Sequence, residues 1–209
     1  KADKILFNRG IKYEVIVIDD GSSDGSREAL KKLAKEIKSL KLVFHRKNRG
    51  YGGALRSGFK TAKNNLVFYT DGDAQYDIGE LELLIPLMTN DIDVVNGIKI
   101  NRSDSWYRVT IGNIYNFWVR NFFGIDIFDT DCDFRLIRKT VLNKFSLNCN
   151  SGAICVELVK KLQNAEARFR QVSVHHYPRV YGKSQFFNYR RVAGTGRELI
   201  KLWIELFIK

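Results

Sequence analysis

Three oxygen-tipped side chains, Asp71, Asp73 and Gln75, alternate in Thr70-Asp71-Gly72-Asp73-Ala74-Gln75, directly after the apolar residues 66–69. Two carboxylates and an amide spaced this way suit one hard divalent cation, Mg2+ or Mn2+, and a cation there would clamp a diphosphate. The exit of a buried strand is also where an open α/β sheet gathers its ligands. Asp and Gly are ordinary turn residues too, so taken alone the run equally describes a solvated turn. A second acidic turn, Asp19-Asp20-Gly21-Ser22-Ser23-Asp24-Gly25-Ser26, follows the β-branched residues 15–18. Two strands that each end in carboxylates suggest one shared site. After the second turn, Leu30, Leu33, Ala34 and Ile37 recur at the spacing of one helix face over residues 27–40, with Ser23 or Asp24 as the cap.

The segment Asn48-Arg49-Gly50-Tyr51-Gly52-Gly53-Ala54 precedes a helix carrying Leu55, Phe59 and Ala62. Glycines there let backbone come close to a ligand, and a helix N-terminus favours an anion such as a diphosphate. It is not a P-loop, because no Gly-Lys-Ser/Thr follows at the required spacing. Further on, Arg179, Lys183 and Ser184 share a loop hinged at Gly182. Arginine can fork two hydrogen bonds onto a phosphate, and lysine adds a point charge. No histidine has zinc-site spacing, and Cys132, Cys149 and Cys155 form no CxxC pair, which favours small, reduced, semi-buried thiols.

In combination and in order, the acidic turn at 19–26, the glycine segment at 48–54 and Asp71-Gly72-Asp73-Ala74-Gln75 resemble the inverting family 2 glycosyltransferases of the GT-A fold. Asp131-Cys132-Asp133-Phe134-Arg135, residues 152–157 and Arg179-Val180-Tyr181-Gly182-Lys183-Ser184 are similar to the polyprenyl-phosphate sugar synthases within it, the dolichyl-phosphate mannose synthase type. The resemblance runs over residues 13–187. It implies an α/β fold with a mostly parallel central sheet flanked by helices. It also implies an N-terminal strand ending in a Pro-x-Tyr-Asn-Glu-like segment, which has no counterpart here; residues 1–13 read as the tail of the first helix and its loop.

The resemblance further implies a metal-dependent, inverting transfer of a sugar from a nucleotide-diphosphate sugar to a polyprenyl phosphate. In that scheme Asp19, Asp20, Asn48, Gly50, Gly53 and Asp71 face the donor, and Asp71, Asp73 and Gln75 hold Mg2+ or Mn2+. Arg135, Arg179, Lys183 and Ser184 hold the acceptor phosphate. Asp73, Arg135 and Glu157 form the catalytic set. In relatives with hydroxyl acceptors a carboxylate at the place of Glu157 acts as general base, whereas a phosphate monoester is already anionic near pH 7, so Glu157 is expected to position rather than to take a proton. Transfer to a saccharide hydroxyl is the alternative. A basic nucleic-acid-binding module or an inactive scaffold is the second.

Length and charge set the frame for these residues. The 209 residues carry 35 basic and 23 acidic side chains, a net charge of +12, so the surface attracts polyanions; 44% hydrophobic content is that of a packed globule. Nucleic acid is not the expected partner, because interleaved RNP-like aromatics and a helix-turn-helix signature are missing. Anionic lipid and phosphorylated substrates remain, and Arg168, Arg170, Arg190, Arg191 and Arg197 are read as basic residues near the site or the C-terminal tail. Strands are expected at 13–18, 41–45, 66–69, 93–96 and near 134–137, and helices over 105–123 and 153–162. The aromatics Trp106, Tyr115, Phe117, Trp118 and Phe122 are expected to pack.

One catalytic domain over 1–209 follows, with 184–209 as an amphipathic C-terminal segment. From Arg197 on, polar residues recur every four positions among Leu199, Ile200, Leu202, Trp203, Leu206 and Phe207. That pattern suits a peripheral position on the cytoplasmic face of a membrane, integral if further helices follow Lys209. Docking onto the protein's own core suits it equally. A homo-oligomer is left open.

Overall fold

Short β-branched runs alternating with amphipathic helices set the order of elements. The computed structural model describes residues 5–6, 10–100, 106–179 and 189–208. Strand β1 (Val15–Asp19) leads into α1 (Ser26–Glu36), β2 (Leu40–Phe44), α2 (Gly50–Thr61) and β3 (Leu66–Tyr69). A short helical stretch with α3 (Leu81–Leu84) follows, then β4 (Val94–Ile100), α4 (Trp106–Phe123), β5 (Arg135–Arg138) and α5 (Lys139–Leu142). The chain continues with α6 (Ala153–Asn164), β6 (Phe169–His175) and α7 (Tyr189–Phe207).

The strands form two sheets. β1 and β2 pair in parallel, and the second sheet runs β3-β5-β4-β6. β5 is antiparallel to both β3 and β4, while β4 and β6 are parallel, so β3, β4 and β6 point one way and deliver their C-terminal ends to one rim. Ile16 of β1 packs against the core beneath β3 and β5. Val94, Val95 and Asn96 on the central strand β4 are fully buried, as a strand covered on both faces requires. One core cluster joins β3, β4 and β5 to α6, a second lies under α3 and Cys132, and a third joins α4, α6 and α7.

Several expectations shift. The helix expected over 27–40 ends at Glu36, because Ile37 turns extended and Leu40 is already paired with Val15. Its N-cap is Gly25 in the left-handed region, and Asp24 bonds the Ser26 amide and hydroxyl just inside. β6 was not anticipated: arginine and glutamine interrupt its apolar positions, as an edge strand tolerates. Arg168 and Arg170 sit at the start of β6, beside Asp93, at the rim opposite the C-terminal ends of the strands. All three cysteines are buried free thiols.

Helix α4 departs most. Trp106, Phe117, Trp118 and Phe122 are 80%, 63%, 65% and 55% exposed, so they do not pack as expected, while Tyr115 does contact the core. The C-terminal helix combines both readings made of it. Leu202 is buried and Leu199, Trp203 and Leu206 dock on the core, yet Ile200, Ile204, Phe207 and Ile208 face outward.

Candidate active site

The pairing of β3 with β5 decides where the acidic residues meet. Tyr69 stands opposite Arg135 as the last pair of the ladder, and Asp71 and Asp133, each two residues beyond it, lie near enough for the Asp133 carboxylate to bear on Asp71. Burial pushes the Asp71 carboxyl up to about 8, with the neighbouring carboxylates of Asp133 and Asp73 adding to the rise. Burial raises Asp133 as well, against the pull of Tyr51, Lys99, Arg135 and the Cys155 thiol, whose sulfur is 3.4 Å from Oδ1. The Tyr51 hydroxyl, from the first turn of α2, lies beside both carboxylates; it is buried and makes no hydrogen bond of good geometry. Burial thus favours the protonated carboxyls here, against the pull of Lys99, Arg135 and Arg179.

The loop after Asp71 is bound to the segment leaving β6. Asp73 Oδ1 accepts from the Gln75 amide at 3.1 Å, and Ala74 sits at a φ of 61°. One nitrogen of Arg179, Nη2, donates to Asp73 Oδ2 at 2.7 Å and to Gln75 Oε1 at 3.1 Å. Tyr177 donates its amide to the Gln75 carbonyl at 2.8 Å and accepts from Gln75 Nε2 at 3.1 Å. Asp71, Asp73, Gln75 and Arg179 are therefore together as expected. Lys183 and Ser184 lie outside the described residues. No three His, Cys, Asp or Glu side chains among the described residues stand ready around one metal ion. The donor set at 71–75 is two carboxylates and an amide.

Arg135 is not a phosphate ligand here. Its register neighbours on both sides are Tyr69 and Asn96, which share its face of the sheet, and they take its guanidinium: Nε donates to Asn96 Oδ1 at 2.5 Å and Nη1 to Tyr69 Oη at 2.8 Å. Nη2 adds the Thr130 carbonyl at 3.3 Å, and no part of the residue is exposed. It braces the sheet beneath the carboxylates.

Glu157 is likewise removed from the catalytic set. It is fully buried and accepts from the amides of Asn148 (2.8 Å) and Cys149 (2.8 Å) and from Lys161 Nζ (2.7 Å). Glu198 on α7 takes up the next amides, Asn150 (3.0 Å) and Ser151 (2.9 Å), and the Ser151 hydroxyl (2.7 Å). Burial would raise Glu198, but these donors outweigh it and hold its carboxyl below the usual value. Two carboxylates thus fix one loop, residues 148–151.

That loop explains the glycines. A Cβ on Gly52 would collide with the Cys149 carbonyl and one on Gly50, at a φ of 78°, with the Asn150 carbonyl. The room they leave is filled by chain rather than ligand. The first amides of α2 are also engaged: Gly52 donates to the Asn150 carbonyl (2.9 Å), Gly50 to Asn48 Oδ1 (3.1 Å) and Arg49 to Asp20 Oδ1 (2.8 Å). Gly53 packs on the Arg49 side chain. The anion seat expected from Asn48, Gly50 and Gly53 is closed by these partners.

The first acidic turn is also built inward. Asp19 Oδ1 accepts from Arg27 Nε at 2.7 Å and from the amides of Gly21 and Ser22, and it is 5% exposed. Asp20 Oδ1 accepts from His45 Nδ1 at 2.5 Å, and the other ring nitrogen is 2.8 Å from Ser57 Oγ. These aspartates shape the turn and start α2; only Asp20 keeps exposed edge. α2 is what links both acidic turns, holding Asp20 through Arg49 and meeting Asp71 and Asp133 through Tyr51. In the sequence Tyr51 and Asp133 stand within the motifs at 48–54 and 131–135 without an assigned role, and Glu198 stands in none. For Asp133 the signal was the pairing register, which needs the partner strand.

Residues 4–146 match the family described as glycosyl transferase family 2. The chain is 35% identical over 177 residues to the undecaprenyl-phosphate 4-deoxy-4-formamido-L-arabinose transferase of Aeromonas hydrophila, covering 83% of this chain and 53% of that protein. The protein of the same name from Serratia proteamaculans is 31% identical over 176 residues, with the same shares covered. The chain therefore spans about half the length of the curated relatives it matches.

Among solved structures, glucosyl-3-phosphoglycerate synthase of Mycobacterium tuberculosis in complex with Mn2+, UDP and phosphoglyceric acid superposes with a TM-score of 0.68 at 16% identity, covering 98% of this chain and 70% of that one. A mannosyltransferase of Pyrobaculum calidifontis with GDP-mannose and Mn2+ gives 0.61 at 20% identity, covering 90% and 55%. The fold is that of the GT-A glycosyltransferases, and the chain belongs to glycosyl transferase family 2.

Proposed function

We propose that the full protein transfers a sugar, with inversion, from a nucleotide-diphosphate sugar to a polyprenyl phosphate at the cytoplasmic face of a membrane. The observation that carries the acceptor half of this reading is the outward apolar surface of α4 and α7, since a carboxylate site alone serves a water-soluble acceptor equally well. Tyr107, Ile111, Ile114, Trp118 and Phe122 recur at helical spacing, all at least 46% exposed. Phe122 meets Trp203 of α7 with ring centroids 5.2 Å apart, which joins this stripe to Ile200, Ile204 and Phe207. Contiguous apolar surface of that kind marks an interaction site, and aromatic residues suit the lipid headgroup level. No helix among the described residues is long and apolar enough to cross a membrane.

Asp71, Asp73 and Gln75 fit a divalent ion, Mg2+ or Mn2+. Their oxygens are of the right chemistry, and a guanidinium already bridges two of them. Bound there, the ion would offset charge building on the leaving diphosphate. Asp73 and Gln75 would orient the donor through the loop they share, with Asp133 and Tyr51 beside Asp71. Arg179 is the basic residue held against this loop that would meet the phosphates. An acceptor phosphate oxygen forms the new bond to the anomeric carbon as the bond to the diphosphate breaks on the opposite face, the electron pair leaving with the diphosphate. No proton has to be removed from the acceptor, which agrees with Glu157 being buried and fully bonded. Transfer to a hydroxyl would need a base that Glu157 does not provide.

The test incubates the full-length protein with undecaprenyl phosphate in vesicles and radiolabelled UDP-glucose, UDP-N-acetylglucosamine or GDP-mannose in parallel. Label moving into the organic phase is expected for one donor. Label transferred only to water-soluble acceptors would overturn the lipid assignment.

A further inference from the structure

We infer that Arg179 is the protein's own counter-ion for the cation seat: its guanidinium takes the Asp73 and Gln75 oxygens when the ion is away, and ion binding and release of Arg179 are one event. The inference rests on the proposed divalent ion at 71–75. A single nitrogen, Nη2, reaches both oxygens, so one point of positive charge sits at the junction of two of the three expected ligands. An ion drawing on the same lone pairs would place two more positive charges against the guanidinium, and repulsion makes the two occupants exclusive.

The backbone delivers Arg179 on a short tether. The segment before it is fixed twice: Glu80 accepts from the His175 amide at 2.8 Å and contacts its Nδ1 at 2.7 Å, and the Tyr177 main chain is clamped to Gln75 on both sides. Beyond that clamp only Pro178 intervenes. The side chain of Arg179 is 32% exposed, so it has space to swing while its base stays docked. Released, it is placed to meet the donor's diphosphate, so the arginine enters the phosphate site only once the ion has entered its own. An ordinary surface ion pair with no such linkage would contribute little to either state.

Mn2+ binding without nucleotide, read from the free-ion signal by electron paramagnetic resonance, distinguishes these. Arg179→Gln should bind Mn2+ about three- to tenfold more tightly than the parent protein, because the competing internal charge is gone, and Arg179→Lys should fall between them. Equal or weaker binding by Arg179→Gln, with a melting curve unchanged from the parent, overturns the inference while leaving the metal reading intact. Asp73→Asn should lose this Mn2+ site. If it binds as the parent does, the ion is not at 71–75, and the metal reading fails together with the inference.

Discussion

Asp71 and Asp133 lie close together just beyond the paired ends of β3 and β5, where burial outweighs the pull of Arg179 on the first and of Lys99 and Arg135 on the second, and this has a measurable cost. Asp71 is raised from 3.8 to about 8, so between those values the native state holds a proton that the unfolded chain has released. Stability is therefore greatest at low pH with respect to this group and is lost as pH rises toward 8. Asp131, raised by burial to about 7 despite Lys99, acts in the same direction. Denaturant unfolding at pH 5 and pH 8.5 without divalent ions should find the protein less stable at the higher pH by on the order of 2 kcal/mol. Asp71→Asn should remove most of that difference, and a parent protein equally stable at both values would refute the account.

At this scale the sequence was informative where the chemistry is local. Asp71, Asp73 and Gln75 stand within five residues and were legible as one group. Arg135 and Glu157 have the right types for catalysis, yet both are structural, because Arg135 lies between Tyr69 and Asn96 in the sheet and Glu157 faces the amides of 148 and 149. Tyr69 and Asn96 are distant from Arg135 in sequence, and the amides that Glu157 accepts from, though only eight and nine residues away, are backbone groups that no residue type announces.

Among the elements, α2 shows how a glycine-rich helix start can serve packing. Gly52→Ala puts a methyl group into the Cys149 carbonyl, and with both backbones held it should destabilise by about 1–3 kcal/mol. Gly58, on the same helix, is the control: a Cβ there meets only Ile18 Cγ1, at 3.7 Å. Gly58→Ala should leave stability unchanged or raise it by about 0.5–1 kcal/mol, since alanine is the better helix former. Thermal melts of the two variants would tell; a Gly52→Ala melt as high as that of Gly58→Ala would mean that the Cys149 contact does not constrain the helix start. The amphipathic helices and β-branched strands were readable from their periodicity. β6 was not, because Arg170 and Gln171 disguise a strand whose pairing with β4 depends on the tertiary frame.

For the molecule as a whole, the net charge of +12 and the α4–α7 surface both suit the proposed partner, an anionic lipid bilayer. Periodicity announced α4 as a helix, but its outward face was read as packing, since aromatic residues at helical spacing look alike whether they are buried or not. Ile114→Ser combined with Trp118→Ser should weaken binding to anionic vesicles about tenfold or more, each side chain contributing roughly 1.5–3 kcal/mol when fully removed from water. Both residues are over half exposed, so the melting temperature should hardly move. Unchanged vesicle binding would direct attention to another face.

Glu198 gives α7 a second significance. Its carboxylate ties the amides of Asn150 and Ser151, and the carbonyls of Cys149 and Asn150 fill the notch left by Gly50 and Gly52. Trimming the protein back to its sheet-bearing part would thus strip the outer brace from a loop that packs on the start of α2, the helix that carries Tyr51 to Asp71 and Asp133. Helix α7 is a buttress as well as a keel, and minimal versions of this enzyme ought to keep it.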